Sequence, residues 1–286
     1  MSTSDSPDSD QTFGARLARR AATADSLLCI GLDPAIGRMP AGIPDTADGV
    51  IEFCERLVDA TADLALAFKP NLAFFLAYGA DGLDALYTTR DMIPDDVPVV
   101  LDCKIGDIGS TATAYATAWF DELDVDAITV HPYLGEDSLE PFLERADKGV
   151  FVLAKTSNPG SGDLQDMALA ETDCPLYQYV ASRAADWDAS YPATVGLVVG
   201  ATWPDQLRQV RDVAPNLPIL LPGLGTQGGD LEGSVRAGLD REGAGLLCSS
   251  SRGIMYASSG DDFADAARAA ALRLRDEINT VRRAGS

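Results

Sequence analysis

Eight short apolar runs recur along the chain: LLCIGLD (27–33), LALAFKP (64–70), VPVVLDC (97–103), DAITVHP (126–132), GVFVLAK (149–155), TVGLVVG (194–200), LPILLPG (217–223) and GAGLLCS (243–249). They are rich in Val, Ile and Leu and do not alternate with polar residues, which is the pattern of parallel strands covered on both faces. Between them lie stretches with helical spacing of apolar residues, among them GVIEFCERLVDATA, STATAYATAWFDEL, PLYQYVASRAADWDA and DDFADAARAAALRLRDEINTVRR. Eight strand–helix units in 286 residues predict one α/β domain, a single (β/α)8 TIM barrel. A doubly wound open sheet is the structural alternative, but no G-x-G-x-x-G follows the first run. Residues 1–12 are Ser/Asp-rich and almost free of apolar side chains, so they are expected to form a disordered acidic tail, with 13–286 as the barrel.

Composition excludes several function classes. The net charge is −22, from 44 acidic and 22 basic residues, and a nucleic-acid groove built on Lys and Arg is not expected. No run of eighteen apolar residues is present, and MSTSDSPDSD lacks the basic and apolar regions of a secretion signal, so neither a membrane span nor export is expected. The five cysteines show no C-x-x-C spacing, which fits a reducing cytoplasm without a disulfide framework. The single histidine, His131, cannot build a zinc site of clustered imidazoles; a metal here would need carboxylates and water. The acidity is spread along the chain and only four residues are lysine, the pattern of a salt-adapted, halophilic surface. Lysines that persist on such a surface are informative, although Lys148, in the polar ERADKG turn, reads as ordinary solvated surface.

A barrel of this kind builds its active site at the carboxyl ends of the strands. Those ends supply Asp33, Lys69 with Asn71, Asp102 with Lys104 and Asp107, His131, Lys155 with Ser157, Thr202, Gly225 with Gln227, and Ser249 to Arg252. Three of the four lysines therefore fall on this rim. In LDCKIGDIGST, Asp102 and Lys104 are two apart at a strand end and are expected to project on one face, with Asp107 following in the loop. An ammonium flanked by two carboxylates has its charged form favoured, which argues against a Schiff-base lysine. It suits a lysine that stabilises a developing carbanion and then donates a proton to it, with a structural ion pair as the plainer alternative. LPGLGTQGGD and SSSRGIMY, after the seventh and eighth runs, offer backbone N–H groups, an amide and a guanidinium where barrels commonly bind phosphate. The long segment TSNPGSGDLQDMALAETDC after the fifth run reads as a functional lid.

The segments LDP, FKPN, DCKIGDIGST, TVHPYLG, AKTSNPGSGDLQ, LPGLGTQGGD and SSSRGIMY together resemble orotidine 5'-phosphate decarboxylase, specifically its longer type 2 branch, over about residues 13–283. That resemblance implies a cofactor-free homodimeric barrel with shared active sites, converting orotidine 5'-monophosphate to UMP and carbon dioxide. By residue, it implies Lys104 as proton donor to C6, Asp102 beside the departing carboxylate, Lys69 linking Asp102 to the ribose, and Asp33 on a ribose hydroxyl. It further implies that Asp107 reaches the neighbouring subunit's site with Thr111 near the ribose, that Ser157 reads the pyrimidine edge, and that Gln227 and Arg252 grip the phosphate. Ile105 stands where a polar residue is expected in type 2 relatives.

Two other readings fit parts of the same sequence. Magnesium-dependent sugar-phosphate decarboxylases or aldolases share the D-x-K-x-x-D element, but Lys69 stands where that branch places an acidic residue, and its ammonium would oppose a divalent cation. A non-catalytic nucleotide-binding barrel would keep the phosphate loops and Ser157 but would have no use for Lys104 between two aspartates.

Overall fold

The computed structural model describes residues 11–170, 172–224 and 230–284. A strand forms on each of the eight apolar runs, β3 and β8 extending just past theirs: β1 (Leu28–Leu32), β2 (Ala67–Pro70), β3 (Val100–Ile105), β4 (Ala127–Val130), β5 (Gly149–Lys155), β6 (Thr194–Val199), β7 (Ile219–Pro222) and β8 (Leu246–Ser250). All neighbours pair in parallel, in the order β2-β1-β8-β7-β6-β5-β4-β3. The two end strands then meet through isolated parallel bridges, Phe68 with Val99 and Asn71 with Asp102. An open doubly wound sheet would leave β2 and β3 as separate edges, whereas here they close a (β/α)8 barrel.

Helices cover the outside where the 3.6-residue pattern predicts them, over Ala47–Thr61, Leu176–Ser190 and Phe263–Ala284. STATAYATAWFDEL forms Gly109–Ala116 and continues as a wider turn over Thr117–Glu122. No helix among the described residues is long and apolar enough to cross a membrane, and all five cysteines are free thiols.

The amino-terminal end of the barrel is closed by the helix Phe13–Ala24, whose N-cap is Thr12, accepting from the Ala15 N–H at 3.2 Å. Thr12 therefore belongs to the folded domain, Gln11 before it is exposed, and residues 1–10 of the expected tail lie outside the described residues. Phe13 is fully buried edge-on against Phe151, 5.9 Å between ring centroids, a burial that stabilises by roughly 2–3 kcal/mol. Arg16 pairs with Asp126, whose second oxygen accepts the Val99 N–H at 2.7 Å and so fixes the start of β3.

Lys148 departs from expectation. It is 7% exposed, its Nζ donates to Asp124 Oδ1 at 2.9 Å, and it lies 5.8 Å from the centre of the Phe120 ring. The turn around it is polar, but Lys148 immediately precedes β5, so its stem is covered by the barrel base while the ammonium finds a carboxylate.

Candidate active site

A cavity of about 790 Å³ opens at the carboxyl ends of the strands and is lined by Asp33, Lys69, Asp102, Ser157, Thr202 and Arg252, among others. Two glycines make room for it. A Cβ on Gly31 of β1 would stand 1.9 Å from Ser251 Oγ, and one on Gly200, just past β6, would stand 2.7 Å from the Ser157 Cα. Neither loop could come so close over a larger residue.

Asp102 is the hub. Its Oδ2 accepts from Lys69 Nζ at 3.1 Å and from Asn71 Nδ2 at 3.4 Å, and its Oδ1 accepts from Lys104 Nζ and from Thr129 Oγ1 at 3.2 Å. The Asp102 side chain is only 12% exposed and Lys69 5%, while Lys104 is 48% exposed and presents its ammonium toward the open side. Burial pushes the Asp102 carboxyl up, but Lys69 and then Lys104 outweigh it and hold the group at about 2. For Lys69, burial favours the neutral amine, and Asp102 and Asp33 reverse this, raising its pKa above the ordinary lysine range. Asp102 and Lys69 therefore stay charged together.

Lys104 reaches Asp102 from an unusual backbone. Its φ is +48°, and the pairing of β3 with β4 shifts register between Leu101 and Ile105. Thr129, buried in β4, compensates: its hydroxyl accepts the N–H groups of Cys103 (3.1 Å) and Lys104 (2.9 Å) while donating to Asp102. One donor and two acceptor positions are all that a hydroxyl has, and here all are used. Thr129 was not among the residues singled out from the sequence, and its only signal is a hydroxyl inside the apolar run DAITVHP.

Other placements differ from the sequence reading. Lys104 is flanked by one carboxylate within the subunit rather than two, because the Asp107 side chain accepts from the Ile108 N–H at 2.8 Å and forms no ion pair among the described residues. Thr111 is exposed on the helix Gly109–Ala116 and does not line the cavity. Gln227 and Gly225 lie outside the described residues. Lys155, on the expected rim, is fully buried on the outer side of the barrel, with Nζ 2.6 Å from Asp166 Oδ1 and 4.9 Å from the Trp203 ring. It anchors the long segment after β5, whose Gln165 also accepts the Thr156 N–H at 2.9 Å. His131 lies against Gly106, where a Cβ would come within 2.5 Å of its ring, and lines a separate apolar cavity with Leu164 and Trp187. Asp33 lies in the main cavity with Oδ1 buried and without a hydrogen-bond partner among the described residues, ready to accept from a ligand hydroxyl.

A carboxylate fixed between two ammoniums, a second carboxylate with an open acceptor, and an arginine across the same cavity form a site that can hold a polyhydroxylated anion and stabilise negative charge beside Lys104. Comparison with known proteins agrees with that chemistry. Residues 26–269 match the model of the Orotidine 5'-phosphate decarboxylase / HUMPS family. The orotidine 5'-phosphate decarboxylase of Thermomicrobium roseum is 53% identical over 272 residues, covering 95% of this chain and 96% of that one. The solved structure of Leishmania donovani OMP decarboxylase superposes with a TM-score of 0.83 at 45% identity, covering 95% of this chain and 98% of that one. The chain also matches Leishmania donovani UMP synthase, with a TM-score of 0.85 at 47% identity, over 95% of its own length but only 56% of that longer protein. On these matches, spanning nearly its whole length, the chain belongs to the orotidine 5'-phosphate decarboxylase / HUMPS family.

Proposed function

We propose that the protein decarboxylates orotidine 5'-phosphate to UMP, the last step of UMP synthesis, without a cofactor. The observation that carries this reading is the Asp102 carboxylate held between Lys69 and Lys104 at the cavity. The bond between C6 and the carboxylate carbon breaks and its electron pair remains on C6, where the ring delocalises it poorly. The Lys104 ammonium lies beside Asp102, where that charge develops, and it transfers one proton to C6 as carbon dioxide leaves. Asp102 holds Lys104 in place and stands next to the departing carboxylate. Lys69 and Asp33 bind the ribose, Ser157 reads the pyrimidine edge, and Arg252 with Gln227 takes the phosphate. Remote binding energy from the phosphate is then available to close the site over the base.

The family includes more than one activity, and the donor set favours this one: a divalent cation at Asp102 would face two ammoniums. The test is the ultraviolet absorbance of orotidine 5'-phosphate incubated with purified protein, with and without EDTA. Loss of substrate at the same rate in both supports the decarboxylase. Loss abolished by EDTA supports a metal-dependent relative, and no loss supports a binding protein.

The active form is read as a cytoplasmic homodimer in which Asp107 and Thr111 complete the site of a second copy. Supporting this, neither contributes to the cavity of its own subunit, and exposed Ile108 (58%) lies beside them with exposed Tyr133 (84%) on the next loop of the same rim. Mixing inactive Lys104→Ala and Asp107→Ala variants under conditions that exchange subunits should restore activity, since one site of the mixed dimer then has both residues intact. Mixed dimers verified by mass spectrometry but without activity would place Asp107 in its own subunit's site.

A further inference from the structure

Arg38, on the loop after β1, also lines the main cavity. Its guanidinium carbon lies 4.2 Å above the centre of the Tyr256 ring, and among the described residues it forms no ion pair, although carboxylates outnumber basic residues 44 to 22. Among the described residues most arginines are engaged by a carboxylate, whereas Arg38 and Arg252, the two at this cavity, form no ion pair there. Stacking covers one face of a guanidinium and leaves its N–H groups, which lie in the plane, directed outward, as required for bidentate contact with an oxyanion.

The platform under Arg38 is rigid. The Tyr256 hydroxyl accepts the Ala35 N–H at 2.8 Å and donates to the Asp33 carbonyl at 3.0 Å, so the phenol is tied to the same loop that carries Arg38. Tyr256 also closes the turn that begins at Arg252, its N–H bonding to the Arg252 carbonyl at 3.3 Å. The strand order makes β1 the neighbour of β8, so the loops bearing the two arginines rise side by side.

A phosphate monoester carries about −1.5 to −2 charges at neutral pH, and one guanidinium neutralises about half of that. We propose that Arg38 is a second cationic contact for the 5'-phosphate of the nucleotide, a specificity-determining residue for phosphorylated over unphosphorylated ligand, and that Tyr256 is its positioning residue. This rests on the reading that the cavity binds orotidine 5'-phosphate and UMP.

Isothermal titration of UMP and of uridine tests it without relying on turnover. Arg38→Ala should weaken UMP binding roughly 10- to 100-fold, the usual loss for a charge-assisted contact, and leave uridine binding within about twofold. Tyr256→Leu should produce the same selective loss, Tyr256→Phe should retain most of the affinity because the ring remains, and the double variant Arg38→Ala with Tyr256→Leu should be no worse than Arg38→Ala alone. If UMP and uridine weaken equally, or if the ratio of their affinities is unchanged in Arg38→Ala, the proposal is overturned while the nucleotide reading stands. If the wild-type protein binds neither UMP nor uridine, the nucleotide reading fails and takes this proposal with it. Should Tyr256→Leu not fold, Arg38→Ala and Arg38→Lys decide the question of the arginine: the lysine is expected to recover part of the lost affinity through its charge, and a lysine no better than alanine would count against a cationic contact.

Discussion

Lys104, the proposed proton donor, combines its place beside Asp102 with a backbone conformation that non-glycine residues rarely adopt, φ +48°, and holding it there costs on the order of 1–3 kcal/mol. The Thr129 hydroxyl is what the fold sets against that cost. Thr129→Val keeps the shape and removes both acceptor positions, so kcat should fall roughly 10- to 100-fold through misplacement of the ammonium, with KM little changed, whereas Thr129→Ser should stay near wild type. Equal kcat in the Val variant would mean that Lys104 holds its place through Asp102 alone. Lys104→Ala should lower kcat by about 10³-fold or more while leaving UMP affinity within tenfold, because the lost interaction belongs to the transition state. Steady-state kinetics and UMP titration together check this, and retention of more than a few per cent of kcat would exclude Lys104 as the proton donor.

The elements of the barrel were legible in the sequence because each strand is covered on both faces and so reads as an unbroken apolar run, with a helical pattern to follow. Asp102, Lys69 and Lys104 were legible because strand ends converge in a barrel whatever their separation along the chain. Contacts made sideways were not. Lys155 and Lys104 both follow apolar runs, yet Lys155 turns outward to Asp166 and Trp203, which only the packing of the segment after β5 decides. Arg38 and Thr129 likewise act through partners on other elements. Arg211 is the strongest such case at the scale of elements. From the helix Pro204–Val213 its guanidinium donates to the carbonyls of Gly238 (2.8 Å), Ala214 (3.2 Å), Leu217 (2.7 Å) and Gly245 (2.9 Å), tying together the segments that lead into β7 and β8. Arg211→Ala would leave buried carbonyls without donors, at a cost of about 3 kcal/mol or more, which lowers Tm by on the order of 10 °C in a domain of this size. Calorimetry should show that drop with kcat at 25 °C unchanged, and a shift under about 2 °C would mean that water replaces the guanidinium.

For the whole molecule the governing quantity is charge. With 44 acidic against 22 basic residues, half the carboxylates cannot have a basic partner of their own, and many of the ion pairs that do form, such as Arg268 with Asp63 and Arg283 with Asp25, are exposed and individually weak. Self-repulsion of such a surface is unscreened in dilute buffer, where the Debye length is about 30 Å at 0.01 M, and nearly abolished at about 3 Å in 1 M salt. We therefore expect a salt-adapted protein whose Tm rises as KCl increases from about 0.1 to 2 M at fixed pH. A flat or falling Tm over that range would assign the acidity to solubility alone.

The barrel closes between β2 and β3 through two isolated bridges, and one of them joins Asn71 to Asp102. Elsewhere neighbouring staves are joined by ladders rather than isolated bridges, as by four consecutive residue pairs between β4 and β5, so the seam is the place where the cylinder can part most easily. A bound nucleotide that engages Lys69 and Asp102 would grip both sides of that seam at once, acting as a clasp on the barrel itself. Amide protons along β2 and β3 should therefore exchange with deuterium faster than those of β5 and β6 in the free protein, and saturation with UMP should slow them preferentially, so that occupancy of the site is recorded in the mechanics of the scaffold.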